Sequence, residues 1–155
     1  MSAPGQSPSV LRDLQEAISG HLRVCSGLSG IDVLDRRDAT IEDKIANALA
    51  GPNGVAIFVS PILPKGFSAN YPAPCFDRGD FTVRVLENPT NNGSGRDAYA
   101  LAETVIRRLH HWTPGVQGAG VVTVDEDPLD DNSTKKAVIF DILFHLSCSF
   151  EAGAD

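Results

Sequence analysis

Two adjacent histidines, His110 and His111, and an acidic run over residues 125–132 are the first places to look for chemistry in this chain. Two histidines on one helix share a metal when they stand at i and i+4 on one face. Neighbours on a helix point about 100° apart, and the positions four further on hold Pro114 and Gly115, which carry no ligating side chain. The pair is therefore expected in the last turn of a helix, where the macrodipole favours His. The acidic run Asp125-Glu126-Asp127-Pro128-Leu129-Asp130-Asp131-Asn132 has the composition of a calcium loop. Its order fails at Leu129 and Asp130, and no Glu closes it at the right distance. A solvated hairpin tip is the expectation.

Nucleophiles and phosphate loops fare no better. Ser60 and Ser147 fall on expected strands, without a G-x-S-x-G turn to expose them. Gly93-Ser94-Gly95 lacks the Lys-Ser/Thr of a phosphate loop, and Gly118 and Gly120 precede an expected strand where a dinucleotide motif must precede a helix. Cys25, Cys75 and Cys148 are odd in number and widely spaced, with no C-x-x-C, which reads as three reduced thiols in a cytosolic protein. Asp80, Glu87 and Asp141 are carboxylates on or beside strands, expected on a solvated sheet face. No residue is assigned a catalytic, cofactor-binding or metal-ligating role, and no cofactor is expected.

The elements that position these residues follow from periodicity. After a Ser/Pro/Gly tail over residues 1–8, Ser9 reads as the N-cap of an amphipathic helix with Leu11, Leu14, Ile18 and Leu22 on its apolar stripe. Ile31 and Val33 suggest a short strand. Thr40 opens a second helix with Ile41, Ile45, Ala46 and Leu49 on one face, stopped by Gly51-Pro52. Residues 55–59 (VAIFV) are a buried strand, 61–79 a long Pro-rich loop, and 80–87 a strand with Phe81, Val83 and Val85 on one side and Thr82 and Arg84 on the other. A third helix covers about 97–112, and Val121, Val122 and Val124 lie on a further strand. Val138, Phe140, Ile142, Phe144, Leu146, Cys148 and Phe150 alternate without a miss, so the final strand is long. It is expected to pair with the Val121 strand as a hairpin tipped by the acidic run. The fold class is α+β. A mixed, mostly antiparallel sheet of four to five strands carries two or three helices on one face, in a single domain over 9–151.

Composition bounds the function. The chain has 155 residues, 42% of them hydrophobic, which supports one buried core without disulfides or metal. The net charge of −7 argues against general nucleic-acid binding. The first residues have no basic start or apolar stretch of a signal peptide. No apolar run reaches the roughly 18 residues of a membrane span, so a soluble protein with no membrane partner is expected.

The order of elements resembles the phage tail terminator and tail-completion (minor tail) family. The likeness rests on the helix at 9–24 and the strand Phe81-Thr82-Val83-Arg84-Val85-Leu86-Glu87-Asn88-Pro89. A Gly/Asn loop follows, then the Ala/Leu-rich helix over 98–112 with Ile106-Arg107-Arg108-Leu109, and the long strand ending near Phe150. The resemblance implies a structural, non-enzymatic subunit that caps the tail tube or joins it to the head connector. It would do so as a homo-oligomeric ring of six, assembling in the host cytoplasm and ending in the virion tail. It implies no site residues. The alternative reading is a small-ligand-binding domain or enzyme with a loop-built site, for which a deep pocket lined by Asp80, Arg84 and Asp141 would be the sign.

Overall fold

A computed structural model describes residues 9–35, 40–68, 75–116 and 118–151. Helix α1 (Val10–Arg23) starts where Ser9 accepts the Arg12 amide at 3.2 Å, and it buries Leu14, Ile18 and Leu22 completely. A single 3₁₀ turn, Ser26–Leu28, leads into β1 (Asp32–Leu34). Helix α2 (Ile41–Ala50) has Thr40 at its N-cap position and ends at Gly51. Strand β2 (Val55–Val59) is buried at every residue. Strands β3 (Leu63–Ser68) and β4 (Cys75–Glu87), helix α3 (Ala98–Leu109), and strands β5 (Ala119–Asp131) and β6 (Val138–Glu151) complete the chain.

The strands form one mixed sheet in the order β1-β2-β4-β6-β5. Only β1 and β2 run parallel; the other pairs are antiparallel. Strand β4 is long enough to take two partners on one side, β3 along its first half and β2 along its second. The α+β, mostly antiparallel class inferred from the sequence is the fold, with six strands where four to five were expected. Part of the segment 61–79, read as loop, is the β3–β4 pairing, and β4 begins at Cys75 and not at residue 80. Residues 69–74 of that segment, and the 1–8 tail, lie outside the described residues.

The core lies between one sheet face and helices α1 and α3. Phe81, Val83 and Val85 of β4 and Phe140, Ile142, Phe144 and Leu146 of β6 point to it. Leu101, Ala102, Val105 and Leu109 of α3 meet them. Phe81 and Phe144 are register partners and stack with ring centres 5.3 Å apart. Gln15 ties α1 to the strands by donating to the Asp35 and Val59 carbonyls at 2.6 and 3.0 Å. Asn53-Gly54 makes the turn into β2: Gly54 has φ +65°, and its carbonyl accepts the Asn88 amide at 2.7 Å.

The acidic run is not a hairpin tip. It lies within β5, whose ladder with β6 is interrupted between Val124 and Leu129 and resumes through Asp131. The turn into β6 is residues 132–137, with Lys135 and Lys136 exposed. Pairing of Leu129, Asp130 and Asp131 to a strongly patterned β6 keeps the far end of the run in a strand that the propensity of Asp disfavours. The edge of β5 is also managed. The Val122 amide and carbonyl bond to the Trp112 carbonyl (2.8 Å) and the His111 amide (2.7 Å), so the segment after α3 covers the edge there. Beyond it, charge and Pro128 protect the edge from adventitious pairing.

Candidate functional site

The face of the sheet opposite α1 and α3 carries the charged candidates. Alternation puts Asp80, Thr82 and Arg84 of β4 on this face, and register sets them against His145, Leu143 and Asp141 of β6. Two ionic clusters result, about 13 Å apart along the strands.

In the first cluster, His145 sits between two carboxylates. Its Nδ1 is 2.8 Å from an oxygen of Asp80 on β4, and its Nε2 is 2.5 Å from an oxygen of Asp125 on β5. The Arg78 guanidinium lies 3.1 Å from the same Asp80 oxygen. The bond to Asp80, then that to Asp125, pushes the imidazole pKa above its ordinary value against the opposing effect of burial. The His145 bond, joined by the Asp127 amide, holds the Asp125 carboxyl below its ordinary range.

In the second cluster, Arg84 donates to both oxygens of Asp141, at 2.8 and 3.0 Å. Asn132 adds a bond to Asp141 at 2.6 Å. The Arg84 guanidinium is 44% exposed, so solvent screens this pair in spite of its two-pronged geometry. A double-mutant cycle on Arg84→Ala and Asp141→Ala should give a coupling below about 1 kcal/mol. A coupling of about 3 kcal/mol would instead mark the pair as desolvated.

Between the clusters is a cleft of about 290 Å³ lined by Ser60, Pro61, Leu63, Asp80, Phe81, Thr82 and Leu143. Asp80 borders it; Arg84 and Asp141 do not. Of the three residues whose joint pocket would signal a ligand-binding domain, this cleft takes in Asp80 alone.

The other candidates hold the fold in place. Ser60 Oγ accepts the Thr82 amide at 2.9 Å and donates to the Pro61 carbonyl at 3.3 Å. Ser147 Oγ accepts the Val121 amide at 3.1 Å. Glu87 is buried; its two oxygens accept the Ala98 amide at 3.0 Å and the Asn92 side chain at 2.6 Å. It thereby fixes the start of α3 and the loop holding Gly93-Ser94-Gly95. Ser94 is bonded within that loop to Asn92, and Arg96 reaches the Gly27 and Ser29 carbonyls.

Helix α3 ends at Leu109 and not at residue 112, so the His pair lies just past the last turn in which it was expected, with His110 as the extended C-cap. The rings do not diverge by a helical step but stack, with centres 3.7 Å apart. His110 Nδ1 accepts the Val124 amide at 3.1 Å, and His111 takes a left-handed conformation at φ 65°. Gly118 is also left-handed at φ 84°, in the turn into β5. Cys148 is buried, which pushes its thiol pKa up and away from thiolate reactivity. The Cys75 side chain lies outside the described residues.

Sequence reasoning placed His145 on the polar side of β6 without giving it a role. Its partners lie 65 and 20 residues away in the chain, and only the strand register brings them to it. As arranged, both ring nitrogens face carboxylates, so neither is open to a substrate. The charged part of the outer face is a set of cross-strand ties beside the buried Ala56, Phe58 and Leu86, and the class the architecture defines is an α+β protein whose outer sheet face is fastened by those ties.

No family model and no curated protein matches the sequence. Among solved structures, a chain from the virion of a native gene transfer agent particle is similar in fold. It is 16% identical, has a TM-score of 0.66, and matches over 93% of this chain and 100% of its own. A second solved chain is similar at 14% identity with a TM-score of 0.57, over 96% of this chain and 99% of its own. At such identities the likeness defines the fold.

Proposed function

We propose that this chain is a structural, non-enzymatic subunit of a phage or phage-like particle, and that it caps the tail tube or joins it to the head connector as a ring. The observation carrying this reading is the end-to-end likeness, over 93% of the chain, to a component of a gene transfer agent virion. It is an argument from fold by analogy. The element order points to the tail terminator and tail-completion proteins in particular, and through them to six copies and to neighbours in the tube and connector.

Two surface features suit such a role. Strand β3 pairs with β4 alone among the described residues, and its Leu63 and Phe67 are 55% and 56% exposed. An open edge carrying large apolar side chains is the kind of surface a neighbouring subunit covers. The acidic stretch of β5 suits a lumen that passes DNA without holding it. A head-to-tail contact closes into a ring when its rotation divides a full turn.

The test is to mix the purified protein with tail tubes lacking their terminal protein and image the ends by electron microscopy. Rings of six on one end, with tube growth arrested, are the expected result. Bare ends and an unchanged length distribution would overturn the reading.

A further inference from the structure

We propose that His145 is a proton-operated fastener, which when charged ties the acidic middle of β5 to the centre of the sheet and when neutral lets it go. A neutral imidazole carries one N–H, and only the imidazolium carries two. Both ring nitrogens here lie within hydrogen-bond distance of carboxylate oxygens, Asp80 on one side and Asp125 on the other. Both bonds form together only when the ring is charged.

Loss of the proton forces a choice between the two, and the surroundings decide it. Asp80 keeps the Arg78 guanidinium at 3.1 Å. Asp125 has His145 as its one cationic partner among the described residues. Its other bonds are to backbone amides of its own segment, that of Asp127 first. The register of β5 against β6 shifts between Val124 and Leu129, so residues 125–128 stand out of step with β6.

The charged groups around the ring are Asp80 and Arg78 from β4 and Asp125 from β5, with Glu126 and Asp127 following on the same strand. From β5, Thr123 faces the ring as its register partner. Helices α1 and α3 pack on the other face of the sheet. The acids at 125, 126, 127, 130 and 131 repel one another, and the imidazolium offsets that repulsion.

The sign follows from the direction of the shift. The folded-state pKa of His145 is raised, so the tie is fully present below about pH 6.5, the unfolded value. It is lost as pH rises through the folded value. The opening is local, because the core-facing residues of β5 and β6 do not depend on it. The freed stretch lies beyond the part of β5 covered by residues 110–112, so the proton controls the acidic rim of the sheet. This holds independently of the tail-cap reading.

Amide hydrogen exchange at residues 125–127, corrected for intrinsic rates and compared at pH 6.0 and 8.5, tests it alongside an NMR titration of His145. Protection should fall about fivefold on going to high pH, the effect of a partly exposed ion pair. In Asp125→Asn, a change outside the core, protection should be low at both pH values and the His145 titration should move back toward its ordinary range. His145→Gln should abolish the pH dependence. A titration of His145 at or below about pH 6.5 would overturn the proposal. So would equal protection at both pH values while the imidazole loses its proton.

Discussion

Replacing Phe144 with alanine should lower the unfolding free energy by about 3–5 kcal/mol, the range for a large aromatic removed from a packed core. Phe144 is fully buried and stacks on Phe81, its register partner on the neighbouring strand. The side chain fills space between two central strands and helix α3, where the backbone ladders prevent collapse onto the cavity. Chemical denaturation of the two proteins measures the difference. A loss below about 1 kcal/mol is typical of surface sites and would mean that β6 presents its other face to the core.

Replacing Glu87 with alanine should cost about 3 kcal/mol, because it removes a buried carboxylate that accepts two bonds, leaving the Ala98 amide without its acceptor and the Asn92 side chain with the Arg96 carbonyl alone. Glu87 is 8% exposed, and its oxygens hold the Ala98 amide and the Asn92 side chain. The Ala98 amide is one of the donors at the first turn of α3 that the helix itself cannot satisfy. Asp97 takes another, the Ala100 amide, at 2.8 Å. Glu87→Gln keeps the shape and replaces one acceptor with a donor, so it should cost about 1.5–3 kcal/mol. Stability within about 0.5 kcal/mol of the wild type for the glutamine variant would show that water replaces the carboxylate there.

The elements with the clearest patterning were readable without coordinates. The alternation at Val138, Phe140, Ile142 and Phe144 placed β6 and its core face. Phe81, Val83 and Val85 placed the second half of β4, and Leu101, Ala102, Val105 and Leu109 the stripe of α3. In each case one face is buried and the other is not, so burial writes its period into the residues. Strand β3 escaped notice because Leu63-Pro64-Lys65-Gly66-Phe67-Ser68 has no alternation and, Phe67 apart, no strong strand former; its conformation comes from pairing with β4. The acidic half of β5 was misread for the same reason. The charged ties were less legible still. Arg84 and Asp141, or Asp80 and His145, are unremarkable in a list of residues and become partners only through register. Glu87 gave no signal of burial at all, since the donors that satisfy it come from a loop and a helix start further along the chain.

The place of β6 in the sheet sets the order in which the molecule can be made. It is flanked by β4 and β5, yet it follows both in the chain. Its contacts with β4 join residues about 50–75 positions apart, a wide loop to close before any pairing energy returns. During synthesis β1, β2, β3 and β4 emerge first, and β4 then presents a long unpaired edge with Phe81, Val83 and Val85 exposed beside it. That half-sheet is the species most prone to associate with other chains, and it persists until β6 arrives. Yield in the cell should therefore depend on how quickly the ribosome delivers β6, and slow translation through residues 110–138 should favour aggregates over folded protein.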